Sequence, residues 1–188
     1  RYERKFVIEQ LGRQQVEALV KRHPALFGRP YPPRWVNNIY LDTEGLDCYA
    51  ANVGGTGERC KVRVRWYGAL WGPVEQPALE FKIRRGSAGI KVAQAFPSFV
   101  LDQGFGRACW QQIVSRATLP AATIEQLKHL RPVLLNRYRR SYFATGSGTY
   151  RATVDDEMSF YGFQALHNHF LRRHVLWHDV LLELKYGI

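Results

Sequence analysis

Several segments of the chain alternate strictly between apolar and charged side chains. In the clearest, residues 61–66 (KVRVRW), the cations Lys61, Arg63 and Arg65 alternate with apolar residues. Successive side chains of a strand point to opposite faces, so this pattern predicts a strand with one cationic and one apolar face. Because like charges on one face repel one another, and burial increases the repulsion, the pattern indicates an anionic partner, most simply a polyanion.

The same alternation recurs along the chain, separated by segments of helical periodicity. Alternating segments predict strands at 2–9, 38–42, 61–66, 79–84, 90–92, 138–143, 150–155 and 180–186. Apolar spacings of three and four predict helices at 14–22, 44–51, 107–116 and 123–130. The last of these helices has a possible capping box, Thr123 with Gln126, and Pro132 is expected to end it.

The charged faces of the predicted strands carry an excess of positive charge. They carry nine cations, namely Lys5, Lys61, Arg63, Arg65, Lys82, Arg84, Arg140, Arg151 and Lys185, against four carboxylates, Glu3, Glu80, Asp155 and Glu183. An ordinary antiparallel sheet with one wet face is one interpretation, although such a face normally mixes signs. The alternative is a barrel with charged faces inward and helices over the apolar faces, whose basic interior suits phosphate.

The carboxylates on these faces point to a metal if phosphate is the ligand. A glutamate among phosphate-binding cations repels the substrate unless a hard divalent cation lies between them. Oxygen atoms are the ligands that Mg²⁺ and Mn²⁺ prefer, so either ion is the expected cofactor.

Composition narrows the class of protein without choosing the ligand. The length of 188 residues predicts one domain, and 46% hydrophobic with 13% aromatic residues excludes a disordered chain. The net charge of +11 indicates nucleic acid, an anionic membrane surface or phosphate compounds. Since no nucleic-acid-binding motif is recognisable, nucleic acid is not an expected partner.

The cysteines and the hydropathy pattern predict a cytoplasmic location. Cys48, Cys60 and Cys109 are an odd number without CxxC spacing, which argues against a disulfide framework or a zinc site. No apolar run approaches the roughly 18 residues that span a bilayer. If a missing segment is embedded in a membrane, the domain lies at the cytoplasmic face, and a membrane-domain or regulatory partner lies outside this chain.

Seven short stretches, in order along the chain, carry a resemblance to a known family. They are RKF at 4–6, IYLD at 39–42, VRVRWYG at 62–68, EFK at 80–82, YRRSYF at 138–143, RATVD at 151–155 and ELK at 183–185. Together they resemble the vacuolar transporter chaperone (VTC) domain, also called the polyphosphate polymerase domain, of the CYTH-like triphosphate tunnel metalloenzymes. Each stretch is weak alone, but the ordered set, which includes RxRWYG, is fairly specific.

The resemblance implies a fold, a reaction and a set of site residues. The implied fold is α+β, an antiparallel eight-stranded barrel with helices outside, formed by residues 1–188 as a single domain. The implied reaction transfers the γ-phosphoryl group of ATP to a growing polyphosphate chain, so ATP, triphosphate and polyphosphate are the expected partners. The implied catalytic and phosphate-binding residues are Lys5, Arg63, Arg65, Lys82, Arg140 and Arg151. Lys91 is a further implied phosphate ligand and Glu183 the implied metal ligand; strand parity adds Lys185 to the phosphate ligands and Glu3 to the metal ligands.

Two departures from the family pattern leave alternatives open. The related adenylate cyclase and thiamine-triphosphatase branch carries ExExK in its first strand. Arg1 here replaces the first glutamate. This replacement favours the polymerase branch but leaves one carboxylate fewer for the metal site. The family also continues beyond the ExK strand, so we expect this chain to be truncated at its C-terminal end. A tri- or polyphosphatase and a non-catalytic module that binds polyphosphate or nucleotide are the alternatives, and Glu183 favours catalysis.

Overall fold

The computed structural model describes residues 2–86, 88–164, 168, 170, 173–176 and 179–187, so Arg1 lies outside the described residues. The described helices are α1 Arg13–Arg22, α2 Asp47–Val53, α3 Arg107–Ser115 and α4 Ala121–Lys128. The described strands are β1 Tyr2–Ile8, β2 Arg34–Asp42, β3 Glu58–Tyr67, β4 Gly72–Val74, β5 Ala78–Arg85, β6 Ala88–Ala95, β7 Phe99–Leu101, β8 Arg131–Ala144, β9 Tyr150–Gly162, β10 Arg173–Leu176 and β11 Val180–Tyr186. None of the described helices combines the length and apolar character needed to cross a membrane.

The chain forms two compact units. The first contains Arg1–Val36, Arg137–Ser159 and His174–Ile188, and the second contains Asn37–Asn136 and Phe160–Arg173. Strands β2, β8, β9 and β10 contribute residues to both units. The expectation of a single domain over residues 1–188 stays a prediction.

In the first unit, β1, β11, β9 and β8 follow one another in the sheet, and β1 is the terminal strand. Both β1 and β9 pair antiparallel with β11. Val16 of α1 packs with Phe143, Val154 and Val180 in a buried apolar cluster on one face of these strands. Since alternate residues point away from the helix, the charged side chains of β1, β9 and β11 lie on the opposite face.

In the second unit, β2, β3, β5 and β6 follow one another, and β6 is the terminal strand. The antiparallel register of β3 and β5 places Val62 opposite Phe81 and Arg63 opposite Glu80. The apolar face packs on α3 and α4 in a core that includes Trp110 of α3. The alternation of KVRVRW therefore divides a helix-covered apolar face from a charged face.

The fold class predicted from the sequence is confirmed: the protein is α+β, with an antiparallel sheet and helices on its apolar faces. Several details of the elements differ. The helix predicted at 123–130 begins at Ala121, because the Pro120 carbonyl accepts hydrogen bonds from Thr123 N and Ile124 N, so the predicted Thr123 capping box is wrong. Pro132 lies inside β8 and does not end that helix.

Candidate functional site

Four alternating charges meet where β1 pairs with β11, and we call them the Glu183 cluster. Glu3 lies directly opposite Lys185, and Lys5 directly opposite Glu183. Lys5 Nζ is 3.4 Å from Glu183 Oε2 and 3.5 Å from Glu3 Oε1. Lys185 Nζ contacts Glu183 Oε1 and is 3.8 Å from Glu3 Oε2. Each carboxylate therefore contacts both lysines.

The electrostatics of this cluster keep Glu183 ionised. Glu183 is only 4% exposed. Its burial by itself would raise its pKa, but the close contact and charge of Lys185, with the charges of Lys5 and Arg140, lower the pKa to about 2. Burial likewise opposes the charge of Lys5, yet Glu183 and Glu3 outweigh it and raise the pKa of Lys5. At neutral pH Glu183 is therefore a buried, ionised carboxylate in contact with cations.

Arg140 of β8 is held beside this cluster by a buried carboxylate. Its Nε and Nη2 atoms each donate a hydrogen bond of 2.6 Å to Asp155 of β9. Burial opposes the charge of Arg140, but the hydrogen bond to Asp155 outweighs it and raises the pKa of the guanidinium. The geometry commits two of its three nitrogen atoms to Asp155, so the fork expected to bind phosphate already holds a carboxylate.

The Glu183 cluster fits a divalent ion that is delivered with a phosphate ligand. Glu183 Oε1 is buried, and its contact with Lys185 lacks hydrogen-bond geometry. Thr153, directly opposite Glu183 on β9, has a buried Oγ1 atom without a hydrogen-bond partner. Among the described residues no three His, Cys, Asp or Glu side chains form a metal site. Glu183 and Glu3 would therefore supply the protein ligands, and phosphate and water the rest, which is a common arrangement for Mg²⁺.

The second unit builds its own charged site around Glu80 of β5, which we call the Glu80 cluster. Arg63 of β3 donates to Glu80 Oε2 from Nε, at 2.8 Å, and its Nη2 lies 2.6 Å from the same oxygen. Lys91 Nζ of β6 is 2.7 Å from Glu80 Oε1, and Arg65 Nη1 is 3.8 Å from Oε2. Burial would raise the pKa of Glu80, but Lys91, Arg63 and Arg65 lower it to about 2.

A chain of buried amides orients Arg65. Its Nε donates a 2.8 Å hydrogen bond to Asn38 Oδ1, and Asn38 Nδ2 donates a 2.8 Å hydrogen bond to Asn136 Oδ1. Asn38 is 0% exposed and the side chain of Arg65 only 10%. Because the Asn38–Asn136 link is buried and the Arg65–Asn38 link is part-buried, the guanidinium is oriented before any ligand arrives.

The remaining residues proposed for the site lie at the edges of the two clusters. Lys82 is exposed and lies directly opposite both Lys61 and Lys91. Arg151 is exposed and lies directly opposite Lys185. The ten residues predicted from the sequence thus divide into a first-unit group and a second-unit group, and their functional roles stay predictions. The group of the first unit is Glu3, Lys5, Arg140, Arg151, Glu183 and Lys185; that of the second unit is Arg63, Arg65, Lys82 and Lys91.

Sequence reasoning missed the residues that position these cations. Asn38 and Asn136 lie 98 positions apart, and no local pattern indicates that they meet. Asp155 and Glu80 were placed on charged faces by their parity, but their partners depend on strand register. A buried polar residue at an inward position of a strand, such as Asn38 in NNIYLD, was the available signal.

Comparisons with known proteins agree with the fold described above. A family model described as the VTC domain matches residues 1–187. No curated protein sequence matches the chain. A candidate adenylate cyclase from Bacillus halodurans has a TM-score of 0.53 and 11% identity, over 98% of this chain and 79% of that one. A candidate adenylate cyclase from Vibrio parahaemolyticus has a TM-score of 0.51 and 9% identity, over 100% and 78%.

At these identities the structural likeness is one of fold alone, and the family rests on the match of nearly the whole chain. That match confirms the resemblance carried by the ordered motifs, from RKF in β1 to ELK in β11. The protein belongs to the VTC domain family.

Proposed function

We propose that the protein is a divalent-metal-dependent polyphosphate polymerase that uses ATP. A terminal oxygen of polyphosphate attacks the γ-phosphorus of ATP and forms a new P–O bond. The bond between that phosphorus and the β–γ bridging oxygen breaks, and ADP leaves with the electron pair. The reaction needs no side-chain nucleophile, so positioning and neutralisation of charge are the main tasks of the protein.

In this proposal the Glu183 cluster acts where charge develops on the reacting phosphoryl group. Lys5 and Lys185 are the more accessible charges, with side chains 51% and 34% exposed, so they meet phosphate oxygens first. Glu183, kept ionised, and Glu3 would hold Mg²⁺ or Mn²⁺, which supplies further positive charge to the phosphate oxygens. Arg140, fixed by Asp155, adds a positive charge that need not reorganise.

The Glu80 cluster is proposed to bind phosphoryl groups directly. Arg63 and Lys91 contact Glu80 through strong, charge-assisted hydrogen bonds, and phosphate oxygens can replace that carboxylate. Arg65 keeps its orientation through Asn38 during such an exchange. This cluster therefore accounts for binding strength, whereas the Glu183 cluster accounts for the metal.

The observation that carries the proposal is the state of Glu183. A buried glutamate with a pKa of about 2, beside an unpartnered hydroxyl and between two lysines, is expensive to maintain in a simple anion-binding surface. A divalent cation bound between Glu183 and phosphate would account for a carboxylate that stays ionised although it is buried. That is why we favour catalysis over a non-catalytic binding module.

The test incubates the purified protein with ATP and Mn²⁺ and analyses the products by gel electrophoresis and by a free-phosphate assay. Long-chain polyphosphate together with ADP supports the polymerase. Free phosphate alone overturns it in favour of a tri- or polyphosphatase. Neither product, with retained binding of polyphosphate, overturns catalysis and leaves a binding module. Reactions with EDTA and with the Glu9→Gln variant, an exposed carboxylate following β1, are the controls.

A further inference from the structure

Two tyrosine rings and one guanidinium pack together in the first unit, and we call Tyr31, Arg34 and Tyr142 the Tyr31 platform. The rings of Tyr31 and Tyr142 meet edge to face at 88°, with their centroids 5.9 Å apart. Arg34 Cζ lies 4.9 Å from the Tyr142 ring centroid and 5.9 Å from the Tyr31 ring centroid. Arg34 Nε also donates a 3.1 Å hydrogen bond to the Tyr142 hydroxyl. Three flat groups are therefore held in mutual contact.

The Tyr31 platform is open to solvent. Tyr31 is 58% exposed, Arg34 is exposed and Tyr142 is half-buried. A ring that served only packing would gain most from full burial, because its stabilisation grows with the apolar area removed from water. Nucleobases stack on the rings of tyrosine and on the plane of arginine. The platform therefore offers to a ligand in solution the surfaces on which a base stacks.

The connector that carries Tyr31 restricts its backbone. Tyr31 lies in the segment RPYPP at 29–33, with a proline on each side. A proline fixes its own φ and limits the conformation of the residue before it. The connector is also anchored at both ends: Gly28 and Ala144 of β8 exchange backbone hydrogen bonds of 2.9 and 3.0 Å, and β2 begins at Arg34. A ring held in this way loses little conformational entropy when a ligand stacks on it.

The Tyr31 platform lies on the same face of the sheet as the Glu183 cluster. Tyr142 is two residues from Arg140 on β8, so both side chains leave the strand on one face, where Arg140 binds Asp155. In the sheet, β9 separates β8 from β11, which carries Glu183. Since neighbouring strands are about 4.8 Å apart, β8 and β11 are separated by about 10 Å. The ribose and phosphates of a nucleotide can bridge this gap.

We propose that Tyr31, Arg34 and Tyr142 bind the purine base of the phosphoryl donor, with its terminal phosphoryl group at the Glu183 cluster. The inference rests on the proposed function, which places the reacting phosphoryl group there. The base stacks on Tyr31, and the charge of Arg34 beside it adds a cation–π attraction. A purine has a larger ring face than a pyrimidine, so it is preferred. Polyphosphate has no ring, so the platform distinguishes the donor from the growing chain.

The experiment measures the affinity of the full chain for ATP, CTP and inorganic triphosphate by isothermal titration calorimetry, in EDTA to prevent turnover. Tyr31→Ala should weaken ATP binding by about 5- to 150-fold, the range for loss of one stacked base. It should weaken CTP binding less and leave triphosphate binding unchanged. Tyr31→Phe keeps the ring and should keep the affinity for ATP. The matched control is Tyr49→Ala, at a tyrosine of α2 that is 64% exposed, and it should leave all three affinities unchanged.

Two results would overturn the base site while leaving the proposed function in place. One is equal affinity of Tyr31→Ala and the wild-type protein for ATP, and the other is equal weakening for ATP and inorganic triphosphate. A loss for CTP as large as that for ATP would overturn the preference for purines. If the wild-type protein binds neither ATP nor triphosphate, the proposed function fails, and the inference fails with it.

Discussion

The charged faces of the two units are built from the same residue types in opposite arrangements. In the first unit Glu3 faces Lys185 and Lys5 faces Glu183, so opposite charges alternate across the strands. In the second unit Lys61 faces Lys82, and Arg59 faces Arg84, so like charges lie side by side. Opposite charges in such pairs stabilise a sheet by roughly 0.2–1 kcal/mol, and like charges destabilise it.

The difference indicates a division of tasks. In the Glu183 cluster each carboxylate contacts both lysines, which suits the proposed task of holding a reacting group and a metal in one geometry. On β3, β5 and β6 of the second unit, Glu80 is the one carboxylate on a face that carries Arg59, Lys61, Arg63, Arg65, Lys82, Arg84 and Lys91. This face therefore carries an excess of positive charge.

The largest effect is expected from Glu183→Gln, which removes the charge at nearly constant shape. If Glu183 holds the divalent ion, turnover of ATP should fall by about 100-fold or more, the range measured for removal of one electrostatic stabiliser. Binding of triphosphate should persist, because the cations remain. Steady-state kinetics and calorimetry check the two effects, with Glu9→Gln as the control and circular dichroism as the test of folding. Normal turnover in Glu183→Gln would refute the metal assignment.

Removing a cation from the Glu80 cluster should instead act on binding. Arg65→Ala should weaken triphosphate binding by about 1.5 to 3 kcal/mol, as for the loss of a hydrogen bond to a charged group. Calorimetry measures the change, and Arg116→Ala on the exposed surface is the control. A variant that loses turnover but keeps its affinity for triphosphate would contradict the separation of tasks.

Acid should destabilise both clusters over the same range of pH. The pKa values of Glu80 and Glu183 are lowered from 4.5 to about 2 in the folded protein. An acid with a lowered pKa contributes stability that is present above its unfolded pKa and is lost as the pH falls toward its folded value. Urea midpoints should therefore decrease between about pH 4.5 and pH 2.

The Glu80→Gln variant tests how much of that decrease comes from the second unit. It should be less stable than the wild type at pH 7, because Arg63 and Arg65 lose their carboxylate, and its stability should fall less steeply in acid. Glu75→Gln, at an exposed site between β4 and β5, should follow the wild-type profile. An unchanged acid profile in Glu80→Gln would contradict the role assigned to its ion pairs.

Local sequence patterns predicted which side chains share a face of a strand. The pairing of the strands determines which residues those side chains contact. Alternation in KVRVRW placed Arg63 and Arg65 on the charged side of β3, and the structure confirms that placement. Which strand lies beside β3 is a non-local property, so the contact of Arg63 with Glu80 could not be predicted from either segment. For the same reason the Asn38–Asn136 hydrogen bond could not be predicted, because its two residues belong to distant segments.

The ends of elements were predicted less well, because tertiary packing overrides local signals. Residues 131–137 precede the predicted strand at 138–143 and contain Pro132, yet they extend β8 to Arg131. Among the described strands, β4 and β7 pair only with each other, and they lie in segments that have turn-like composition. The length of β8 matters for the site, since Asn136 lies in the part that was not predicted.

The most direct test compares the affinity of wild-type protein, Glu80→Gln and Glu183→Gln for inorganic triphosphate, each with and without Mn²⁺. The Glu80→Gln variant removes a carboxylate from among the cations of the second unit. It should therefore bind triphosphate about 1.5- to 5-fold more strongly than the wild type, whether or not Mn²⁺ is present. In Glu183→Gln, by contrast, Mn²⁺ should no longer strengthen binding as it does in the wild type. If Mn²⁺ strengthens binding equally in all three proteins, the assignment of the metal to the Glu183 cluster is contradicted.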